Sequence, residues 1–275
     1  ASLQSLNGLK VGHDAPPAVE TQLSRKFFIE NPQAIQSEIA MDAPALMSST
    51  EGQSLSSASI SAVKSSVGTQ PVLVILGFYE NMPPKTNPAD FQAKFFGSSK
   101  SVSDYYRQAS YGKLNLVPAT ENFGNANDGI VGWVNLGKTH PSPSNTNYTA
   151  ARAMVAEAVY VADNFVNFAA YDKDGNGYLS SSELHVVVIV AGYEASYDGG
   201  VAKPTTWGHQ WTLSSPANVD NVYFGSYSYG GSYTMFGEMM GRNTSTIGIM
   251  IHELGHEFGF PDLYSYVPGA GAGVG

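Results

Sequence analysis

Two unbroken apolar runs, PVLVILGFY (Pro71–Tyr79) and LHVVVIVAGYE (Leu184–Glu194), constrain this chain more than any other feature. Both are rich in Val and Ile, and turn-forming residues such as NMPPKTNP follow the first. Runs of this length and composition are strands buried in a sheet. KLNLVPAT (Lys113–Thr120) alternates like a further strand, whereas ADFQAKFF and SVSDYYRQASYG read as short helices, the second started by Ser101 or Ser103 and stopped by Gly112. In TNYTAARAMVAEAVYVADNFVNFAAYD, the residues Ala151, Met154, Val155, Ala158, Ala162 and Phe165 recur at three- and four-residue spacing. That spacing predicts a long amphipathic helix, capped by Asn145, Thr146 or Asn147. Residues 195 to 243 contain strand-like pieces at NVYFGSYSY and GSYTMF. NTSTIGIMIHELGHEFG closes the order as a helix, capped by Asn243, Thr244 or Ser245 and ended by Gly259. The expected fold class is α/β (α+β), a mixed twisted sheet with a long backing helix and further helices packed on it.

The chain of 275 residues is 43% hydrophobic and 13% charged, enough apolar material for a sizeable core. Its net charge of −9 and the absence of any Lys/Arg cluster argue against a nucleic-acid or anionic-membrane surface. With no cysteine, disulfides, thiolate metal sites and cysteine nucleophiles are excluded together. No segment approaches the roughly 18 consecutive apolar residues of a membrane span. Residues 1–66 differ from the rest in having only short apolar clusters and a Ser/Ala-rich end, Ser48 to Ser66. They are expected to form an N-terminal extension or prosegment with a linker, or a plain tail; residues 67–275 form the compact domain. Ala1 and the polar start fit a chain from which a signal peptide has been removed.

The final helix carries the strongest chemical pattern, HELGHEFGFPD. His252 and His256 stand four residues apart, so their imidazoles project from one helix face about one turn apart and suit a single Zn²⁺. Glu253 sits beside them, placed to reach a metal-bound water instead of the metal. Gly259 allows the chain to turn back, Pro261 stiffens the return, and Asp262 arrives where a third ligand is needed. Two histidines and one carboxylate leave a fourth position open, which is the ligand set of a catalytic zinc site. The expected chemistry is peptide-bond hydrolysis by a zinc-activated water, with Glu253 as general base.

DKDGNGYLSSSE (Asp172–Glu183) matches a calcium-binding EF-hand loop position by position. Asp172, Asp174 and Asn176 occupy positions 1, 3 and 5, Gly177 makes the turn, Tyr178 offers its carbonyl, Ser180 is at 9 and Glu183 closes at 12. The helix before the loop fits an EF-hand, but LHVVVIVAG after it reads as a strand. A helix–loop–strand calcium site fixing that strand is expected. His209, in WGHQW, is read as a hydrogen-bonded member of an aromatic cluster in preference to a metal or substrate contact. Glu238 fits either a calcium ligand or a structural carboxylate. His13 and Asp14 are candidate groups for occupying the zinc position in a latent form.

HELGHEFGFPDLY resembles the zinc motif of the immune inhibitor A family of secreted bacterial metallopeptidases, within the metzincin group. SVSDYYRQASYGKLNL, the acidic loop before LHVVVIVAG, and TTWGHQW are similar to that family's segments in the same order, so the resemblance runs from about Pro71 to the end. It implies a zincin-like catalytic domain over residues 67–275, His252, His256 and Asp262 as zinc ligands, and Glu253 as general base. It also implies a secreted endopeptidase made as a zymogen with a prosegment, acting on protein or peptide substrates with Zn²⁺. Metzincins place a methionine turn after the third ligand, and the last methionine here is Met250. A continuation past Gly275 is therefore expected, in the same chain or as a separate one. The competing expectation is a processed or inactive fragment serving as a calcium-stabilised surface or binding module.

Overall fold

A computed structural model describes residues 66–143, 148–198 and 201–260 of the chain. Strand β1 (Gly68–Tyr79) is followed by helices α1 (Pro88–Phe96) and α2 (Val102–Ala109), then by β2 (Leu114–Pro118) and β3 (Ile130–Gly137). Helix α3 (Tyr148–Ala162) leads through a 3-10 turn, Phe168–Tyr171, to β4 (Tyr178–Leu179) and β5 (His185–Glu194). A short α4 (Ala195–Asp198) precedes β6 (Thr205–Thr206), β7 (His209–Trp211), β8 (Ala217–Val219) and β9 (Val222–Phe224). β10 (Tyr233–Met240), β11 (Asn243–Thr244) and α5 (Ile247–Glu257) complete the order.

The main sheet is centred on β1. Its partner on one side is β5, in parallel register from Val72–His185 to Gly77–Val190. On the other side β2 pairs with the first half of β1 and β3 with the second, both parallel. β10 continues the sheet parallel to β5, and β11 adds an antiparallel edge. A smaller sheet of β4, β9 and β8 lies beside the calcium-type loop.

Parallel strands need crossovers, and the crossing helices cover both faces of the sheet. The period-two alternation of a strand divides each apolar run between those faces. Leu73, Ile75, Val186, Val188 and Met235 join Met154, Val155 and Val159 of α3 in one cluster. Val72, Val74, Leu76, Val187, Ile189 and Phe236 join Phe91 and Phe95 of α1, Tyr106 of α2, and Met250 and Leu254 of α5 in the other. This is why PVLVILGFY and LHVVVIVAG lack alternation: each of their faces is an inside face.

The mixed α/β class and the main elements follow the sequence expectation, with three differences. β3 was not expected, because GIVGWVNLG is broken by glycines that dilute its apolar pattern. α3 ends at Ala162, so the stretch through Phe165 is shorter than the periodicity predicts; its proposed caps, Asn145 to Asn147, lie outside the described residues. α5 starts one to three residues later than predicted. Thr246 is its N-cap, because Asn243 and Thr244 pair with β10 instead of capping the helix. Ser101 does cap α2, its hydroxyl accepting from the Asp104 amide at 3.1 Å, and Gly112, at φ 75°, turns the chain away from that helix.

β10 and β5 approach so closely at Gly237 that a Cβ there would lie 2.6 Å from the backbone of Tyr193 and Glu194. Gly237→Ala is therefore expected to destabilise the domain by about 1–3 kcal/mol, the usual cost of overpacking. A thermal melt checks this; an unshifted midpoint would mean that the two strands part without cost.

Candidate metal centre

Helix α5 is held by its apolar stripe. Met250 and Leu254 are fully buried against the sheet, with Ile249 and Phe258 nearly so. α2 fastens the same helix from the side. The Tyr106 hydroxyl donates to the Ile251 carbonyl at 2.6 Å, and its ring meets Phe258 edge-on at 5.0 Å. Gly255 permits that approach, since a Cβ there would come 3.2 Å from the Tyr106 oxygen.

On this framework His252, Glu253 and His256 bring one imidazole nitrogen each and a carboxylate oxygen to within 4.8 Å of one another. Glu253 is fully buried and His256 nearly so, whereas His252 is partly exposed. The two Nε2 atoms lie 3.2 Å apart. Two nitrogen ligands at 2.0–2.1 Å from one tetrahedral zinc are separated by roughly 3.3 Å, so the pair already has the spacing of a shared ion. His256 Nδ1 lies 2.7 Å from the Phe260 carbonyl, which can only accept. Nδ1 therefore carries the proton and Nε2 is the ring's acceptor nitrogen, the arrangement that orients metal-ligating histidines. The helix ends as the sequence predicts, with Gly259 at φ 86°. Asp262, the expected third ligand, lies outside the described residues, as do Tyr264, His13 and Asp14.

The second cluster is Asp172, Asp174 and Glu183, whose carboxylate oxygens lie within 4.8 Å of one another. Gly177, at φ 79°, makes the predicted turn. Asp172 accepts from the amides of Asn176 and Gly177 at 3.1 and 2.9 Å, and Tyr178 N donates to Asn176 Oδ1 at 2.7 Å. Glu183 reaches back to Lys173 N with one oxygen and takes Ser180 N and Oγ with the other, closing the loop. Three converging carboxylates repel one another, and an all-oxygen set of this kind suits a hard cation such as Ca²⁺. One expectation is corrected. The element before the loop is the 3-10 turn Phe168–Tyr171, with Asp172 as its C-cap, and not the end of the long helix. Tyr178 packs its ring in a stack with Tyr229 and Tyr223, at 3.6 and 5.2 Å between centroids.

His209 sits in an aromatic cluster, as the sequence suggests. Its Nδ1 lies 2.7 Å from the Trp207 carbonyl and its Nε2 2.9 Å from the Tyr233 hydroxyl, with Tyr148 edge-on. Burial lowers its pKa to about 4, so the ring is neutral. Glu238 acts as a structural post: one oxygen accepts from Lys85 N, Thr86 N and the Thr86 hydroxyl at 2.7, 2.7 and 2.9 Å. Several important groups carry no sequence signal. Glu194, at the end of β5, is buried and accepts from the amides of Ser196, Gly208 and Gly237. Its pKa is raised by burial against the opposing pull of those amides. His185 and Glu257 are likewise buried, and nothing local distinguishes them from core strand and helix residues.

The stretch that holds both clusters has known relatives. The family model of the immune inhibitor A peptidase M6 catalytic domain matches residues 87–275. Immune inhibitor A of Bacillus thuringiensis subsp. alesti is 28% identical over 105 residues, covering 36% of this chain and 15% of that protein. The chain thus spans a small part of the length of that relative. A family match across more than half of the sequence, on a mixed α/β fold that gathers an HExxH group, carries one conclusion: the chain belongs to the immune inhibitor A family of peptidases.

Proposed function

We propose that this chain is the catalytic portion of a secreted, zinc-dependent endopeptidase with a zincin-like site, and that calcium stabilises it. The observation that carries the reading is the 3.2 Å spacing of the two Nε2 atoms, with the Glu253 carboxylate beside them on the same helix turn. His252 and His256 would hold the ion together with Asp262. Zinc in such a site supplies Lewis-acid polarisation of a carbonyl and acidification of water. Glu253, one residue from the first histidine, is placed to take a proton from an attacking water and return it to the departing amine. Its complete burial keeps bulk water from competing for that carboxylate. His256 is kept in orientation by its bond to the Phe260 carbonyl. Membership of a peptidase family supports protein substrates, and no helix among the described residues is long and apolar enough to cross a membrane.

Glu253→Ala is expected to retain zinc and to lower casein or peptide cleavage by about 10²–10⁴, the usual worth of a general base. Metal analysis of wild type and variant, run beside the cleavage assay, checks both halves. Equal cleavage by the two chains would remove Glu253 from the mechanism. A wild type that binds calcium but no zinc, and cleaves nothing, would favour a calcium-stabilised binding module instead.

Calcium at about 100 times its Kd is expected to raise stability by about 2.7 kcal/mol if it binds only the folded state. Glu183→Gln should abolish the shift, because it removes the carboxylate that closes the loop. Thermal melts with Ca²⁺ and with chelator test this; identical melts for the wild type would refute a calcium role for the loop.

A further inference from the structure

We propose that Glu257 and His185 are positioning residues that set the second zinc-binding histidine, an inference that rests on the zinc reading above. Glu257 is the last residue of α5 and follows His256 directly. Although next to a helix end, it is 1% exposed. Its Oε2 lies 2.6 Å from His185 Nδ1, and its Oε1 accepts from the Thr234 hydroxyl at 3.1 Å. His185 Nε2 lies 2.6 Å from Gln70 Oε1, and Gln70 Nε2 donates to the Val67 carbonyl at 3.0 Å. The Gln70 amide oxygen can only accept, so His185 Nε2 carries a proton. The His185 ring also packs on Phe258, at 5.0 Å between centroids.

The arrangement brings His185 of β5 and Thr234 of β10 onto one carboxylate of the metal helix, with Gln70 of β1 holding His185 from behind. Apolar packing fixes how deep a helix lies but tolerates sliding and rotation of the order of an ångström. A carboxylate held at two oxygens by two strands does not. A buried polar pair of this kind adds little net stability compared with apolar residues of the same volume, so its presence beside a ligand points to placement. What it places is the last turn of α5, where His256 must keep its Nε2 near that of His252 and where the chain turns back after Gly259.

The test separates placement from stability in the full chain. Glu257→Gln keeps the shape but replaces one of the two accepting carboxylate oxygens with an amide nitrogen, which cannot accept. It is expected to weaken Zn²⁺ binding at least tenfold, within the range for residues that orient metal ligands. Zinc affinity is read by competition with a chromophoric chelator, and the metal-free thermal midpoint is measured in parallel. Glu238→Gln is the control, a buried carboxylate of the same sheet whose side chain accepts from the 85–86 segment. It should lower the midpoint while leaving zinc affinity within twofold of wild type. Should Glu257→Gln fail to fold, Thr234→Val removes one hydrogen bond at constant shape and is expected to weaken zinc about threefold. Unchanged affinity in Glu257→Gln, or in Thr234→Val where that variant is used, or equal losses in Glu257→Gln and Glu238→Gln, would overturn the inference alone. A wild type that binds no zinc would overturn the functional reading with it.

Discussion

The architecture depends on strands β1 and β5 being buried on both faces. Val72 to Leu76 and Val186 to Ala191 are all fully inaccessible. A sheet made of such strands cannot stand with one face in water, because each exposed Val or Ile would forgo about 1.5–3 kcal/mol of burial. Helices must therefore cover both sides. α3 takes one face, and α1, α2 and α5 share the other. The helix that carries the HExxH group is thus a core element first. Its apolar stripe presses Met250 and Leu254 onto the sheet, and the remaining side of the same turns carries His252, Glu253 and His256.

A core this apolar makes each buried charge costly unless it is bonded. Three buried carboxylates answer that requirement in different ways. Glu194 collects three backbone amides, Glu238 collects two amides and a hydroxyl, and Glu257 meets a histidine and a threonine. The first two hold irregular segments, around Gly208 and Thr86, against the ends of β5 and β10. The third holds a helix end against the starts of the strands. The domain thus uses buried carboxylates where apolar packing alone cannot specify how a loop or helix terminus sits. The calcium-type loop uses charge differently. Its acids converge on one another in a partly exposed turn, where the loop's own amides and the Ser180 hydroxyl donate to them.

Much was legible along the chain, and for a common reason. Buried strands, the amphipathic α3, the Ser101 cap, the Gly259 stop and both metal motifs are written in spacings of two to twelve residues. Local backbone geometry alone converts such spacings into positions in space. The i, i+4 histidine pair is the clearest case, since any α-helix brings its two rings to one face. The failures were also local in origin. Glycines masked β3, and a polar dipeptide that resembled a helix cap became the edge strand β11. The EF-hand pattern implied a preceding α-helix where the chain has a 3-10 turn.

The partners of Glu257 lay beyond any such spacing. His185 is 72 residues away from it, and Gln70 is a further 115 from His185. No periodicity links them. They meet because parallel pairing brings β1, β5 and β10 side by side, and the crossover to α5 returns the helix end to the starts of those strands. Residue type and spacing thus sufficed for which side chains the helix brings together, because helical geometry is local. How firmly that helix is held, and by which groups, depends on strand order and register, which arise only when distant segments pack together.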